Sequence, residues 1–216
     1  MAASSSTSTP PKKFGVVLFP GFQALDVFGP LDILNLLSKY TPQLELYILS
    51  KTLYPVPTKA YVKGFEMSQS VVPTHTFDNA PDDIEVLLVP GGFGTRQPDL
   101  VESAVDFVKS AFPKLRYLLT VCTGSALVAM TGLLDGKRAT SNKRAFSWAM
   151  AQGPNVQWVR EARAGIDMTY AFVSEHYGED LAQEIADRAE YTRQKDSTVD
   201  PYAELPEASR LNGERD

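Results

Sequence analysis

RYLLTVCTGSALVAMTG, residues 116–132, decides the fold. Arg116 to Val121 is a short apolar run bounded by turn residues and reads as a buried strand. Thr123, Gly124 and Ser125 then open a small-residue helix that Gly132 stops. A strand running straight into a helix belongs to a parallel α/β sheet, and at its junction stands Cys122, the one cysteine of the chain. At such an elbow the side chain is thrust clear of the sheet. It lies over a helix N-terminus whose free N–H groups and positive dipole end favour thiolate over thiol, so a nucleophile is expected. The competing reading is a small core residue, since free cysteine is often buried. The Thr, Gly and Ser that follow fill a core poorly and suit a tight turn with polar donors.

The same alternation extends in both directions. KFGVVLF (13–19), LELYILS (44–50) and EVLLVPGGFG (85–94) read as further strands, the last ending in a glycine-rich turn. Helices are expected from Pro30 to about Tyr40 and from Pro98 to Phe112. Residues 52–79 suit a small hairpin or irregular excursion. Beyond Gly132 the pattern gives a short strand (137–141), a helix (144–151), a strand VQWVREAR (156–163) and two helices split at Gly178 and reaching Arg193. Strands alternating with helices predict a flavodoxin-like, doubly wound, mostly parallel sheet with helices on both faces. The domain should span 13–194, between a disordered Ser/Thr/Pro tail (1–12) and a loose polar C-terminal tail (195–216).

Composition narrows the function. A chain of 216 residues with 44% hydrophobic content suits one domain with a good core. The net charge of −5, with no basic stripe, argues against nucleic acid as a partner. No apolar run reaches the roughly 18 residues of a membrane span, and the N-terminal stretch lacks the apolar core of a secretory signal. A lone cysteine cannot form an internal disulfide, so the expected compartment is the reducing cytoplasm.

Ligands of open α/β sheets bind beyond the carboxyl ends of the strands. Asp26 follows the first strand, Gly91 and Gly92 the third, and Cys122 the fourth. If those strands are neighbours, a carboxyl, backbone N–H donors and a thiol converge. Each feature has a plainer reading: Gly91 and Gly92 as a turn needing positive φ, Asp26 as a helix cap. GGFGTRQ lacks the phosphate-loop ending and the dinucleotide spacing. The two histidines, His75 in the excursion and His176 at a helix end, read as structural, which weakens a Cys–His protease reading. No two of Cys122, His75 and His176 have metal-ligand spacing.

LFPGFQALDVFGPLDIL, LLVPGGFGTR, LTVCTGSALVAMTGLLDGKRATSNKRAFSW and AGIDMTYAFV together resemble the DJ-1/PfpI superfamily, whose fold is class I glutamine amidotransferase-like, and most closely its isocyanide (isonitrile) hydratase branch. The resemblance covers Lys13 to Arg193. It implies Cys122 as nucleophile, Asp26 as the acidic partner that approaches its sulfur, and Thr123 as a positioning residue. Protease-like relatives carry histidine at the Thr123 position, which speaks against peptidase activity. Gly91 and Gly92 fall on the anion-binding turn, with the Gly92 N–H in the pocket, and Asn142 stands where some members carry a pocket histidine. The implied reaction is hydration of a small-molecule isocyanide to an N-substituted formamide through a Cys122 thioimidate, by a homodimer with no metal, nucleotide or flavin. The alternatives within the resemblance are glyoxalase or deglycase activity and a ligand- or redox-sensing homologue. Relatives carry a further strand and a Thr-Ser-Ser-Gly-like turn where Arg163 here runs directly into Ala164. One strand segment and one wall of the pocket are therefore expected to be missing, with a loss of stability and activity.

Overall fold

The apolar runs fold into the strands that the alternation requires. A computed structural model of the chain describes residues 9–59, 66–162 and 165–206. In chain order the elements are β1 (Lys13–Val17), α1 (Ala24–Ser38), β2 (Glu45–Ser50), β3 (Val56–Pro57), β4 (Ser70–Val71), β5 (His75–Thr76), β6 (Val86–Val89), α2 (Pro98–Ala111), β7 (Tyr117–Thr120), α3 (Gly124–Ala129), β8 (Arg138–Ala139), α4 (Phe146–Gln152), β9 (Gln157–Trp158), α5 (Ile166–Tyr177) and α6 (Glu179–Arg188). The central sheet has the order β5-β2-β1-β6-β7, and every pairing in it is parallel.

Successive strand residues point to opposite faces, so both faces must be covered. Phe14 and Val86 pack on Phe172 of α5. Leu87, one residue further and hence on the other face, lines a groove with Phe107 and Ala111 of α2. On the first face α1, α5 and α6 share a second cluster through Ile33, Leu37, Tyr170, Val173 and Ile185. This is the doubly wound sheet expected from the sequence. Among the described residues no helix is long and apolar enough to cross a membrane.

Several expectations need correction. α1 begins at Ala24, not at Pro30, which lies inside it. Proline there forfeits one backbone hydrogen bond, and burial of Val27 and Leu31 in the main core outweighs that loss. The strand expected over 156–163 shrinks to Gln157–Trp158, paired in parallel with β8 and apart from the main sheet. The chain then turns tightly, with the Ala162 N–H donating to the Arg160 carbonyl at 3.0 Å. α6 stops at Arg188, short of Arg193, because Glu190 takes a left-handed φ of 50°. The Tyr191 N–H then closes back on the Ala186 carbonyl at 2.9 Å, a Schellman-type ending. The 52–79 excursion holds a small antiparallel pair, β3 with β4, and then β5, which joins the sheet edge.

Parts of both expected tails pack on the domain. Of residues 1–12, Thr9 to Lys12 are tied to the sheet: the Lys12 N–H donates to Glu85 Oε2 at 2.6 Å, and Arg116 Nη2 to the Thr9 carbonyl at 2.8 Å. The rest of that tail, and the C-terminal one from 207, lie outside the described residues, as does the Arg163–Ala164 junction itself. Among the described residues no strand stands between Trp158 and Ile166. The C-terminal segment lies against Arg160. Arg160 Nε donates to the Ala203 carbonyl at 2.8 Å and Arg160 Nη2 to the Leu205 carbonyl at 3.1 Å.

Candidate active site

Sheet order decides which loops meet. β1, β6 and β7 are consecutive neighbours, and all three point their carboxyl ends the same way. The loops that follow them are stitched together by backbone bonds: Gln23 N–H to the Gly91 carbonyl at 2.8 Å, and Gly94 N–H to the Gly21 carbonyl at 3.0 Å. Asp26 and Cys122 are thereby brought together from distant parts of the sequence.

Cys122 occupies the elbow with φ of 54°, a left-handed conformation that a non-glycine residue adopts only at a cost of about 1–3 kcal/mol. Glycines allow the close approach beneath it. A Cβ on Gly91 would lie 2.5 Å from the Thr123 nitrogen, and one on Gly124 2.2 Å from the Val89 carbonyl oxygen. Cys122 as a residue is partly exposed, while its sulfur is turned inward and desolvated.

Asp26 is not a cap. The N-cap of α1 is Gln23, which makes no side-chain cap bond, and Asp26 lies in the first turn. Its buried carboxylate accepts the Gly91 N–H at 3.0 Å and is hydrogen-bonded to the Cys122 thiol. Burial pushes this carboxyl up to about 6, against the opposing pull of its bonds to Gly91 and Cys122. Burial, reinforced by the Asp26 charge, pushes the Cys122 thiol up to about 12. The thiolate expected from the helix N-terminus is therefore corrected. α3 has only six residues, and desolvation beside a carboxylate outweighs its dipole. Burial and the Asp26 charge both favour the protonated thiol at neutral pH.

The donors facing the sulfur are Thr123, through its N–H and hydroxyl, and Asn142, through its side chain. Asn142 Oδ1 accepts the Arg144 N–H at 2.9 Å, which turns its NH₂ toward Cys122. Gly92 does not play the expected part. Its N–H donates to Thr123 Oγ1 at 3.0 Å, so it orients the threonine and is not open to a ligand. Thr95 Oγ1 donates to the Gly92 carbonyl at 2.7 Å and completes that knot. Neither histidine comes near: His75 sits on the far edge strand against Tyr47, and His176 packs on Tyr117 and Phe172.

Three features escaped the sequence reading. Arg96, in the turn after PGGFG, lies 5.4 Å from the ring centroids of both Phe93 and Trp148 and within electrostatic reach of Cys122. Lys143, beside Asn142, is buried and pairs with Asp200 at 3.1 Å. A cavity of about 570 Å³ opens over Cys122 and Asp26, and Tyr202 and Leu205 of the C-terminal segment line it. Only the glycine-rich motif around Arg96 carried any local signal. The tail reads in sequence as unstructured.

A thiol and a carboxylate joined by a hydrogen bond, at a nucleophile elbow on a doubly wound sheet, define a class of cysteine-centred α/β proteins. The family model for the DJ-1/PfpI family matches residues 12–177, and the chain belongs to that family. It is 33% identical over 190 residues to the isonitrile hydratase of Pseudomonas putida, covering 83% of this chain and 78% of that protein. The deglycase PfpI of Pyrococcus furiosus is 30% identical over 91 residues, 38% of this chain and 55% of that one. Among solved structures, a ThiJ/PfpI family protein from Pseudomonas syringae superposes with a TM-score of 0.69 at 23% identity, covering 90% of this chain and 83% of that one, and so shares the fold.

Proposed function

We propose that this protein is an isocyanide hydratase-like lyase, active on a small molecule in the cytoplasm as a homodimer. The observation that carries the reading is the Asp26–Cys122 pair, a buried carboxyl and the sole cysteine of the chain lining one cavity at the sheet's carboxyl edge. Similarity to an isonitrile hydratase over most of both chains supports it.

The chemistry follows from the resting protonation state. The isocyanide carbon accepts the Cys122 sulfur while Asp26 takes the thiol proton and passes it to that carbon, giving R–N=CH–S–Cys122. Asp26, ionised again, draws a proton from water as the oxygen adds to the same carbon. Asp26 passes that proton to nitrogen, the C–S bond breaks as Asp26 takes the hydroxyl proton of the carbinol, and Asp26 hands this second proton to the leaving sulfur. R–NH–CHO departs and the thiol is restored. A single carboxyl serves both halves because it is the base nearest the reacting carbon. Thr123 and Asn142 donate to the sulfur as it takes up charge.

The pH profile tests this directly. The reaction needs Asp26 ionised, so kcat/KM should rise with pH and level off above a midpoint near 6, where burial places the carboxyl. Formamide production followed by proton NMR between pH 4 and 9 gives the curve. A profile flat through pH 6, or formed only around a thiol midpoint, would sink the assigned base. Deglycation of a glycated amine without any isocyanide turnover would favour the deglycase reading.

A further inference from the structure

The C-terminal segment stands where a wall was expected to be missing. Asp200 has a side chain only 3% exposed and meets Lys143, 7% exposed, at 3.1 Å. Lys143 Nζ also donates to Thr140 Oγ1, the Ser141 carbonyl and, at 2.8 Å, the Ala162 carbonyl. One buried ammonium thus ties three things together: the strand leading to Asn142, the end of the chain before the 163–164 junction, and the tail. A charge that deep persists only when paired and hydrogen-bonded, so the tail is held specifically. Arg160 grips the carbonyls of Ala203 and Leu205 from the same side, and Ala203 is buried.

This anchoring delivers two exposed side chains to the cavity. Tyr202 and Leu205 line it, as do the apolar Leu25 and Ile166. Cys122, Asp26 and Asn142 line the same cavity with polar groups. A chamber of about 570 Å³ lies within the usual range for small-molecule sites, roughly 300–1,000 Å³, and is far larger than an isocyanide group alone requires.

We infer that the Lys143–Asp200 latch makes the C-terminal segment the outer wall of the site, and that Tyr202 and Leu205 select isocyanides carrying a bulky apolar N-substituent, aromatic or branched alkyl. The substrate part of this inference rests on the hydratase reading; the wall does not. A ligand of that shape would place its polar carbon at Cys122 and its apolar body against Tyr202 and Leu205. A methyl isocyanide would leave that wall untouched.

Two measurements on the full-length protein separate these parts. In Tyr202→Ala and Leu205→Ala, kcat/KM for benzyl isocyanide should fall about tenfold relative to that for methyl isocyanide, the scale of one lost apolar contact in a pocket. Equal losses for both substrates would overturn the selectivity. The second readout needs no turnover: the rate of Cys122 alkylation by N-phenylmaleimide divided by that by iodoacetamide, followed by mass spectrometry. Opening the wall with Asp200→Asn or Tyr202→Ala should raise this ratio at least fivefold. Because Tyr202 is 54% exposed, its replacement leaves the core intact. A ratio unchanged in both variants would overturn the wall whatever the substrate. A raised ratio with no isocyanide hydrated by any form would uphold the wall and reject the hydratase reading.

Discussion

Asp26→Asn is expected to lower isocyanide turnover by about 10²–10³-fold, while Cys122 alkylates faster and the protein melts at a higher temperature. The loss is the usual scale for removing a positioned acid–base group. The faster alkylation follows from electrostatics, because the Asp26 charge helps hold the Cys122 thiol up at about 12. Without it the thiolate becomes easier to form. The gain in stability follows from linkage. The Asp26 carboxyl moves from its ordinary 3.8 to about 6 in the fold, so between those values the folded state binds more protons than the unfolded one. Stability is therefore lost as pH rises through that window, and at pH 7 the buried carboxylate costs on the order of 1–3 kcal/mol that a neutral amide avoids. The variant's melting temperature should exceed the parent's by more at pH 7 than at pH 4. Parental turnover in Asp26→Asn would remove this residue from the mechanism. Slower alkylation would contradict the like-charge account of the thiol.

Gly92→Ala should have a large effect on folding. Gly92 has φ of 133°, and a Cβ there would lie 2.3 Å from the Gly21 carbonyl oxygen and 2.5 Å from the Gln23 nitrogen. Both neighbours are backbone of the loop that carries Asp26, so neither moves without dragging the site with it. Strain and overlap together should cost about 4 kcal/mol or more, against a total of about 5–15 kcal/mol for a domain. Gly136 is the control: its φ is 70°, but nothing lies within 4 Å of an added Cβ. Gly136→Ala should cost only about 1–2 kcal/mol. Urea unfolding of the two variants decides the matter, and equal midpoints would mean that the loops do not interlock as described.

Much of this molecule was legible in local sequence. Strand–helix alternation is written in hydrophobic periodicity, which is a property of neighbours along the chain, and it gave the doubly wound sheet. The elbow at Cys122 is local too, since only a tight turn explains Thr123-Gly124-Ser125 directly after an apolar run. Its φ of 54° agrees with that reading. That Asp26 and the Gly91-Gly92 turn belong near Cys122 followed only on the condition that β1, β6 and β7 are neighbours. Sheet order supplied that condition, and periodicity does not encode it.

Three features were set by tertiary structure alone. The ionisation state of the site reversed the sequence expectation, because a short helix favours a thiolate less than burial beside a carboxylate disfavours it. Gly92 became a support for Thr123, because its N–H meets the Thr123 hydroxyl before any ligand can. The polar tail became part of the cavity, because Lys143, buried on a distant segment, needs the charge of Asp200. What the sequence by itself determined is the set of elements and the turn that exposes the sulfur, since these depend on residues a few positions apart. Desolvation, the partner of each N–H and the packing of the tail depend on atoms brought together across the fold, and only the folded chain decides them.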